Sequence, residues 1–410
     1  MNLIARLALK NLTRNRRRTA LTMISIIAGI GIMIVGQAFI AGTEENIFVS
    51  AEEGVVGHVL ARPEGYPSQG LNAPLDRLLT IGPEARALLD AQTVAWTGRV
   101  QFAPTAVHGA ESVRVRAFGY EPDRDPRVFS RERWSIDGRY PNPEADEVTV
   151  SRSVARLLQL KPGDRFVLQV RTHHGALNAL EVAVSGILTT GNTALDGLGL
   201  FAPMALTTRL TGADAPTHLS VKLARRALAT DFKPRLLAVL QGAEVSTVQE
   251  ETAELISLQA VRRKSLDVLV FILLALAAFG MANTFLMAAY ERTREVGTLR
   301  AMGMTEGSVT ALFVTEGSIV GLVGSLLGAA WGSALALWWS VHPLDISEAL
   351  QRSGTTGSGT SMAFSALIYT AFDPAVAGLG VALGLAVAMA SSWYPARVAS
   401  ALRPSDAVRA

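Results

Sequence analysis

Four stretches of this sequence carry no charged side chain and are long enough to cross a lipid bilayer. The first, Thr19 to Thr43, offers about 25 positions at roughly 1.5 Å rise each, enough for a hydrocarbon core of about 30 Å. The others run from Val268 to Tyr290, from Gly317 to Leu344 with the apolar stretch Val309–Val314 before it, and from Pro374 to Ala396. A backbone inside lipid must satisfy its own hydrogen bonds, so each run is expected to be a helix. The chain between the first two runs has ordinary globular composition. The fold class is therefore a membrane protein with four transmembrane α-helices and an α+β domain inserted between the first and second spans.

Of the 410 residues, 49% are hydrophobic and only 18% charged, too apolar for an ordinary soluble protein. The net charge of +3 does not point to nucleic acid, because the basic residues gather beside the apolar runs. Arg6, Lys10, Arg14, Arg16, Arg17 and Arg18 precede the first span, Arg292, Arg294 and Arg300 lie between the second and third, and Arg397, Arg403 and Arg409 follow the fourth. The connection between the third and fourth holds only Arg352. This bias predicts cytoplasmic termini, a cytoplasmic loop at Glu291–Glu306 and an external domain. The first run is read as an anchor rather than a signal peptide, since it exceeds a typical h-region and no small-residue cleavage site follows. Leu3, Ile4, Leu7, Ala8 and Leu12 recur at helical spacing, so residues 1–18 read as an amphipathic helix on the inner leaflet.

The expected order is thus 1–18 amphipathic helix, 19–43 first span, 44–264 outer domain, 265–290 second span and 291–307 cytoplasmic segment. It continues with 308–341 third span, 342–373 short outer loop, 374–396 fourth span and 397–410 cytoplasmic tail. Within the domain, Glu147–Val150 reads as a strand and Ser151 as the cap of a helix through Leu158. Lys161-Pro162-Gly163-Asp164 is a turn, and Arg165–Arg171 alternates as a strand. A second alternating run, Leu180–Ile187, follows the linker Thr172–Ala179 and forms a hairpin with the first. Arg225–Leu240 reads as a helix, and Val245–Leu269 as a long helix entering span two.

The chemistry-bearing motifs argue against an enzyme. A phosphate-cradling loop needs Gly-Lys-Ser/Thr, and none of the five lysines follows a glycine. There is no cysteine, hence no disulfide or thiolate site. On a strand, His173 and His174 would point to opposite faces and could not share an ion, so the pair reads as part of a surface loop rather than a metal site. Of the carboxylates Asp123, Asp125, Glu144, Asp146 and Glu147, most read as solvated surface. No metal, catalytic or cofactor site is expected in this chain.

Glu316 is the one ionisable residue at the edge of a span, and either pairs with a cation or caps at the interface. Gly317, Gly321, Gly324, Gly328 and Gly332 place small residues on helix faces that allow close backbone approach, within one bundle or between subunits.

The segment Tyr290–Met304 reads either as a short amphipathic helix with charges of both signs, suited to docking on another protein, or as a solvated cytoplasmic loop. It carries Glu291, Arg292, Arg294, Glu295, Val296, Gly297, Leu299, Arg300, Ala301 and Gly303. Here the sequence resembles the FtsX-like permease family of ABC transporters, which includes MacB and LolC/LolE types. The pattern E-R-x-R-E-[IV]-G-x-L-R-A-x-G matches Glu291–Gly303, and a following Glu-Gly matches Glu316-Gly317. The family's C-terminal signature matches Tyr394-Pro395-Ala396-Arg397, Ala399, Pro404 and Val408-Arg409, and Ser153–Asp164 is similar to a motif of its outer domain.

The resemblance implies a MacB-like periplasmic core domain, a coupling helix near Arg292–Gly303 contacting a cytoplasmic ABC ATPase dimer, and a second permease copy. ATP and Mg would reside on the ATPase, and its hydrolysis would move the outer domains. Lipoprotein release is the expected role, because a separate ATPase and a domain of this size suit that type. MacB-like efflux of peptides or amphiphiles and FtsX-like signalling are the alternatives. Lipoprotein-releasing permeases that bind a periplasmic carrier do so with a hairpin hook. Here that connection is only Thr172, His173, His174, Gly175, Ala176, Leu177, Asn178 and Ala179. Phe39 and Phe271 are the positions expected to meet a membrane-embedded lipoprotein or other amphiphilic substrate.

Overall fold

The computed structural model describes residues 16–67, 73–132, 134–345 and 367–400. Residues 1–15 of the expected helix at 1–18, most of the tail from 397 and most of the loop 342–373 lie outside the described residues, and Arg16–Arg18 begin the first long helix instead. The chain divides into two units. One comprises Met1–Thr43, Leu258–Pro343 and Tyr369–Ala410, and the other Glu44–Ser257 with Leu344–Ile368.

The order of elements is α1 (Arg16–Gly54), β1 (Val59–Pro63), α2 (Pro83–Gln92), β2 (Ala95–Phe102), β3 (Thr105–His108), β4 (Glu111–Arg114) and β5 (Arg116–Tyr120). Then come α3 (Asp125–Val128), β6 (Ser135–Gly138), β7 (Glu147–Ser151), α4 (Arg152–Leu157), β8 (Arg165–Arg171), β9 (Leu177–Thr189), α5 (Thr193–Leu198) and β10 (Gly199–Pro203). The domain closes with α6 (Met204–Thr211), β11 (His218–Lys222), α7 (Ala229–Val239) and β12 (Ala243–Thr247). After it follow α8 (Val248–Glu291), α9 (Thr293–Ala301), α10 (Glu306–Val341), β13 (Leu344–Asp345), β14 (Leu367–Ile368) and α11 (Pro374–Ser400).

Four of these helices, α1, α8, α10 and α11, are long and apolar enough to cross a membrane. Two exceed their uncharged runs considerably. α1 continues to Gly54 and α8 begins at Val248, so each is an unbroken helix with residues in both units. The first three residues of the expected Val245–Leu269 helix belong to β12 instead, because Val59 and Ala61 of β1 take Thr247 and Val245 as ladder partners.

In the bundle, the glycines of α10 serve two neighbours. A Cβ at Gly317 or Gly321 would strike Ser392 or Ala388 of α11, while Gly324, Gly328 and Gly332 lie against Ile26, Ile27 and Gly31 of α1. The stripe therefore packs within this chain, where missing side chains let backbones approach and gain dispersion contacts.

The domain is built on a twelve-stranded sheet in the order β12-β1-β11-β2-β5-β10-β7-β9-β8-β3-β4, with β6 paired to β9. β5–β10 and β7–β9 are parallel, the remaining pairs antiparallel. One core gathers Phe102, Val150, Leu158, Leu168 and Leu206, and a second Leu89, Leu219, Phe232 and Leu236. Local signals read from sequence appear as structure. The Ser151 hydroxyl accepts from the Val154 amide, and Gly163 takes φ +95° in the turn where Asp164 N–H donates to the Lys161 carbonyl.

Gly328→Leu is expected to destabilise the full chain by about 1–3 kcal/mol, the cost of overpacking, because its Cβ would lie 2.8 Å from the Ile27 carbonyl oxygen. Gly378→Ala, with open space around it, should leave the melting temperature in detergent unchanged or raised.

Candidate functional site

Two clusters, one in each unit, fix the ends of the long helices. In the bundle unit, α8 stops at Glu291 and the nine-residue α9 follows, bounded by Arg292 and by the left-handed Gly303 (φ +99°). The Thr305 hydroxyl accepts from the Ser308 amide and starts α10. Only Val296 and Gly297 of α9 are buried. Val296 belongs to the apolar cluster that holds Phe313, Ala396 and Ala399.

Of the sequence-predicted docking residues, Arg292 and Arg300 turn inward. Arg292 lies 3.4 Å from Glu316, with side chains only 12% and 4% exposed. This decides between the two readings of Glu316 in favour of pairing. Removing one partner of such a pair would strand a buried charge, at about 3–5 kcal/mol. Arg300 donates to the Ser400 carbonyl at 2.8 Å and pairs with Glu306. Leu299 is half-buried, whereas Glu291, Arg294, Glu295, Ala301 and Gly303 are exposed. The outward surface is thus narrower than the sequence pattern suggested.

In the domain unit, the C-terminal carbonyls of α1 are taken by side chains. Asn192 Nδ2 donates to the Ser50 carbonyl at 2.8 Å, and Arg99 Nη1 to that of Gly54 at 2.7 Å. A cation there also meets the negative end of the helix dipole. The Arg99 side chain is 2% exposed and makes a two-point contact with Asp125 at 2.6 and 3.0 Å. Arg131 adds a third contact to Asp125, and Phe129 lies 3.5 Å under the Arg99 guanidinium. Asp125 is therefore a buried ion-pair partner and not solvated surface. Asp196 accepts from the Thr190 amide, the Thr190 hydroxyl and the Gly191 amide, which sets the loop that carries Asn192. Burial raises its pKa.

The start of α8 is held beside β1. Thr247 and Glu250 form a reciprocal capping box, and the Val248 amide donates to the His58 carbonyl. Lys233 pairs with Glu250, and Arg62 with Glu251 and Glu244. His218 is buried, with Arg62 and Arg99 bearing on it. Desolvation, reinforced by those two cations, lowers its pKa to about 3.

The remaining predicted positions are dispersed. Thr172–Ala176 form the turn between β8 and β9, and Leu177, Asn178 and Ala179 already belong to β9. The turn is tied to its own domain: the His173 amide donates to Thr211, its ring contacts the Leu75 carbonyl, and Asn178 donates to Leu210. It is not a protruding hook. His173 and His174 lie in this turn, as the surface-loop reading expects, with ring centroids 5.0 Å apart in an edge-on arrangement. Among the described residues no group of His, Cys, Asp or Glu is arranged to hold a metal. Phe271 is exposed on α8 and Phe39 half-buried on α1.

Apolar spans, a core domain inserted between the first and second, and a short charged helix between the second and third define a permease. Residues 19–239 match the MacB-like periplasmic core domain and residues 268–404 the FtsX-like permease C-terminal region. The chain belongs to this FtsX-like permease family of ABC transporters, and its spans and periplasmic-type domain fit an inner-membrane protein. It is 24% identical over 289 residues to the lipoprotein-releasing system transmembrane protein LolC of Xylella fastidiosa, covering 67% of each chain. It is 25% identical over 330 residues to the pyoverdine export ATP-binding/permease protein PvdT of Pseudomonas fluorescens, covering 77% of this chain and 49% of that one. The macrolide export ATP-binding/permease protein MacB of Chromobacterium violaceum is 28% identical over 135 residues, 33% and 18% of the respective chains.

His218 generates a pH prediction. The unfolded chain binds a proton near the ordinary value of 6.5, whereas the buried ring resists protonation until about pH 3. Stability should fall as pH drops from 6.5 toward 3, by about 1.4 kcal/mol per unit. Denaturation of the full chain at pH 7 and pH 5 should show a smaller loss in His218→Phe than in the parent. Asp196 acts in the opposite sense but is common to both proteins.

Proposed function

We propose that this chain couples ATP hydrolysis by a separate cytoplasmic ABC ATPase dimer to movement of a periplasmic domain, and that the movement releases lipoproteins from the inner membrane. In this reading both termini are cytoplasmic, the exposed face of α9 docks on the ATPase, and ATP and Mg stay on that partner. A second permease copy completes the assembly.

The observation that carries the coupling is the pair of unbroken helices, α1 and α8, whose ends in the domain are fixed by Arg99, Asn192 and the Thr247–Glu250 box. Force applied along such a helix is delivered to the sheet rather than lost in a loop. Similarity to LolC over two thirds of each chain supports lipoprotein as the cargo. The tied Thr172–Ala176 turn argues that capture of a periplasmic carrier falls to another surface or another subunit. Efflux of an amphiphile is the second reading, favoured by the longer match to PvdT.

A photoreactive amino acid at Phe271, exposed on α8, distinguishes the two. Crosslinking in cells is expected to capture lipidated proteins, and repeated capture of free small amphiphiles would overturn the lipoprotein reading.

A further inference from the structure

In the domain unit, β6 pairs with the end of β9, from Ser135 opposite Thr189 to Gly138 opposite Gly186. Among the described residues no strand lies on its other side. The Arg139 amide donates to the Ser185 carbonyl at 3.0 Å. An antiparallel ladder alternates, so Ser135 and Asp137 turn their backbone groups to β9, and Ile136 turns its N–H and C=O to the open side. The Ile136 side chain packs against the apolar cluster of Phe118, Leu188 and Phe201, which fixes the strand. An unpaired edge held in this way is a template for another strand.

A cleft of about 550 Å³ opens along this edge, with Ser135, Ile136 and Asp137 on one side and Arg152 and Arg156 of α4 on the other. Three successive strand residues line one cavity only where it reaches the strand's edge, because alternate side chains point to opposite faces. The floor is apolar: Ala155 and Leu160 are buried and Ile187 half-buried. Arg152 and Arg156 are exposed and stand four residues apart, on one side of α4. Arg152 also bears on the buried Asp196, whose oxygens already accept from Thr190 and Gly191. Asp137 is the single carboxylate in the lining, so the two cations outnumber it.

We propose that this cleft takes an extended acidic segment of a partner protein as an added strand on β6, with a carboxylate of that segment seated between Arg152 and Arg156. The main chain of the segment bonds to the outward N–H and C=O of Ile136. Side chains two apart on a strand share a face, so the carboxylate is accompanied at that spacing by an apolar side chain over Ile187 and Leu160. The excess of cations rejects a basic segment. A small anion would satisfy the two guanidiniums and leave the Ile136 edge unpaired, which is why the open backbone favours a peptide. The site lies wholly in the domain unit and is independent of the cargo and of the ATPase.

The test selects heptapeptides displayed on phage against the full-length protein in nanodiscs, with the Arg152→Glu, Arg156→Glu double variant as the counter-selected protein. Enriched sequences should share an acidic and an apolar residue two positions apart. The most enriched one, made synthetically with a fluorescent label, is then the probe. Arg152→Gln with Arg156→Gln should weaken its binding about ten-fold, the loss of two exposed charge pairs. Arg152→Lys with Arg156→Lys should retain most of the affinity, which separates charge from folding. N-methylation of alternate peptide amides should abolish binding in one register and spare it in the other, because one row of N–H groups faces β6. Equal tolerance of both registers would overturn strand addition. Displacement of the probe by inorganic phosphate at constant ionic strength would mark a small-anion site and overturn the proposal, as would a selection that returns no acidic sequence.

Discussion

The guanidinium of Arg99, buried against the last turn of α1, is the interaction on which the rest of this domain depends. It closes a carbonyl that the helix cannot satisfy itself, and its charge is balanced by Asp125, with Arg131 behind. The buried guanidinium has every partner supplied by the fold: a two-point carboxylate contact, a backbone oxygen and an aromatic face. Such an arrangement costs desolvation and returns it as a fixed geometry. Under the proposed function, a fixed geometry at the end of this helix is what lets it deliver displacement. Asp196, through the loop it organises, adds Asn192 as a second grip one turn earlier.

The opposite end of the system follows the same logic. Arg292 and Glu316 form the second inward ion pair, and they set where α8 stops and α9 begins. Arg300 ties α9 to the end of α11 through the Ser400 carbonyl. A short helix anchored at both ends presents the rest of its surface, Arg294 and Glu295 among it, as a rigid face. The glycines of α10 let α1 and α11 approach that helix closely. Both clusters thus turn charges that look like surface in the sequence into internal fixings.

Much of this was legible without coordinates, and the division is physical. The spans could be read because uncharged length is a property of contiguous sequence. The Ser151 cap and the Lys161–Asp164 turn could be read because their partners lie within three residues. The inward pairing of Arg99 with Asp125 could not, since their 26-residue separation leaves no local pattern and each resembles a solvated charge. The start of α8 was misplaced for a related reason. Val245–Thr247 have apolar-helix composition nearby, yet their ladder partners on β1 lie some 180 residues earlier. The Thr247-x-x-Glu250 capping box was the available signal and marks the true start. The family pattern at 291–303 falls on the short helix α9 but does not tell which of its charges face inward.

The central claim is that movement passes through the unbroken helices α1 and α8. Because the chain contains no cysteine, spin labels can be placed at Leu177→Cys and Leu379→Cys, both exposed, one in each unit. The distance between them is measured in the complete transporter with and without bound nucleotide. The account predicts a nucleotide-dependent change that disappears when three glycines are inserted after Thr43 and after Ser257, where the two helices pass from one unit to the other. An equal change in the protein with both insertions would contradict it.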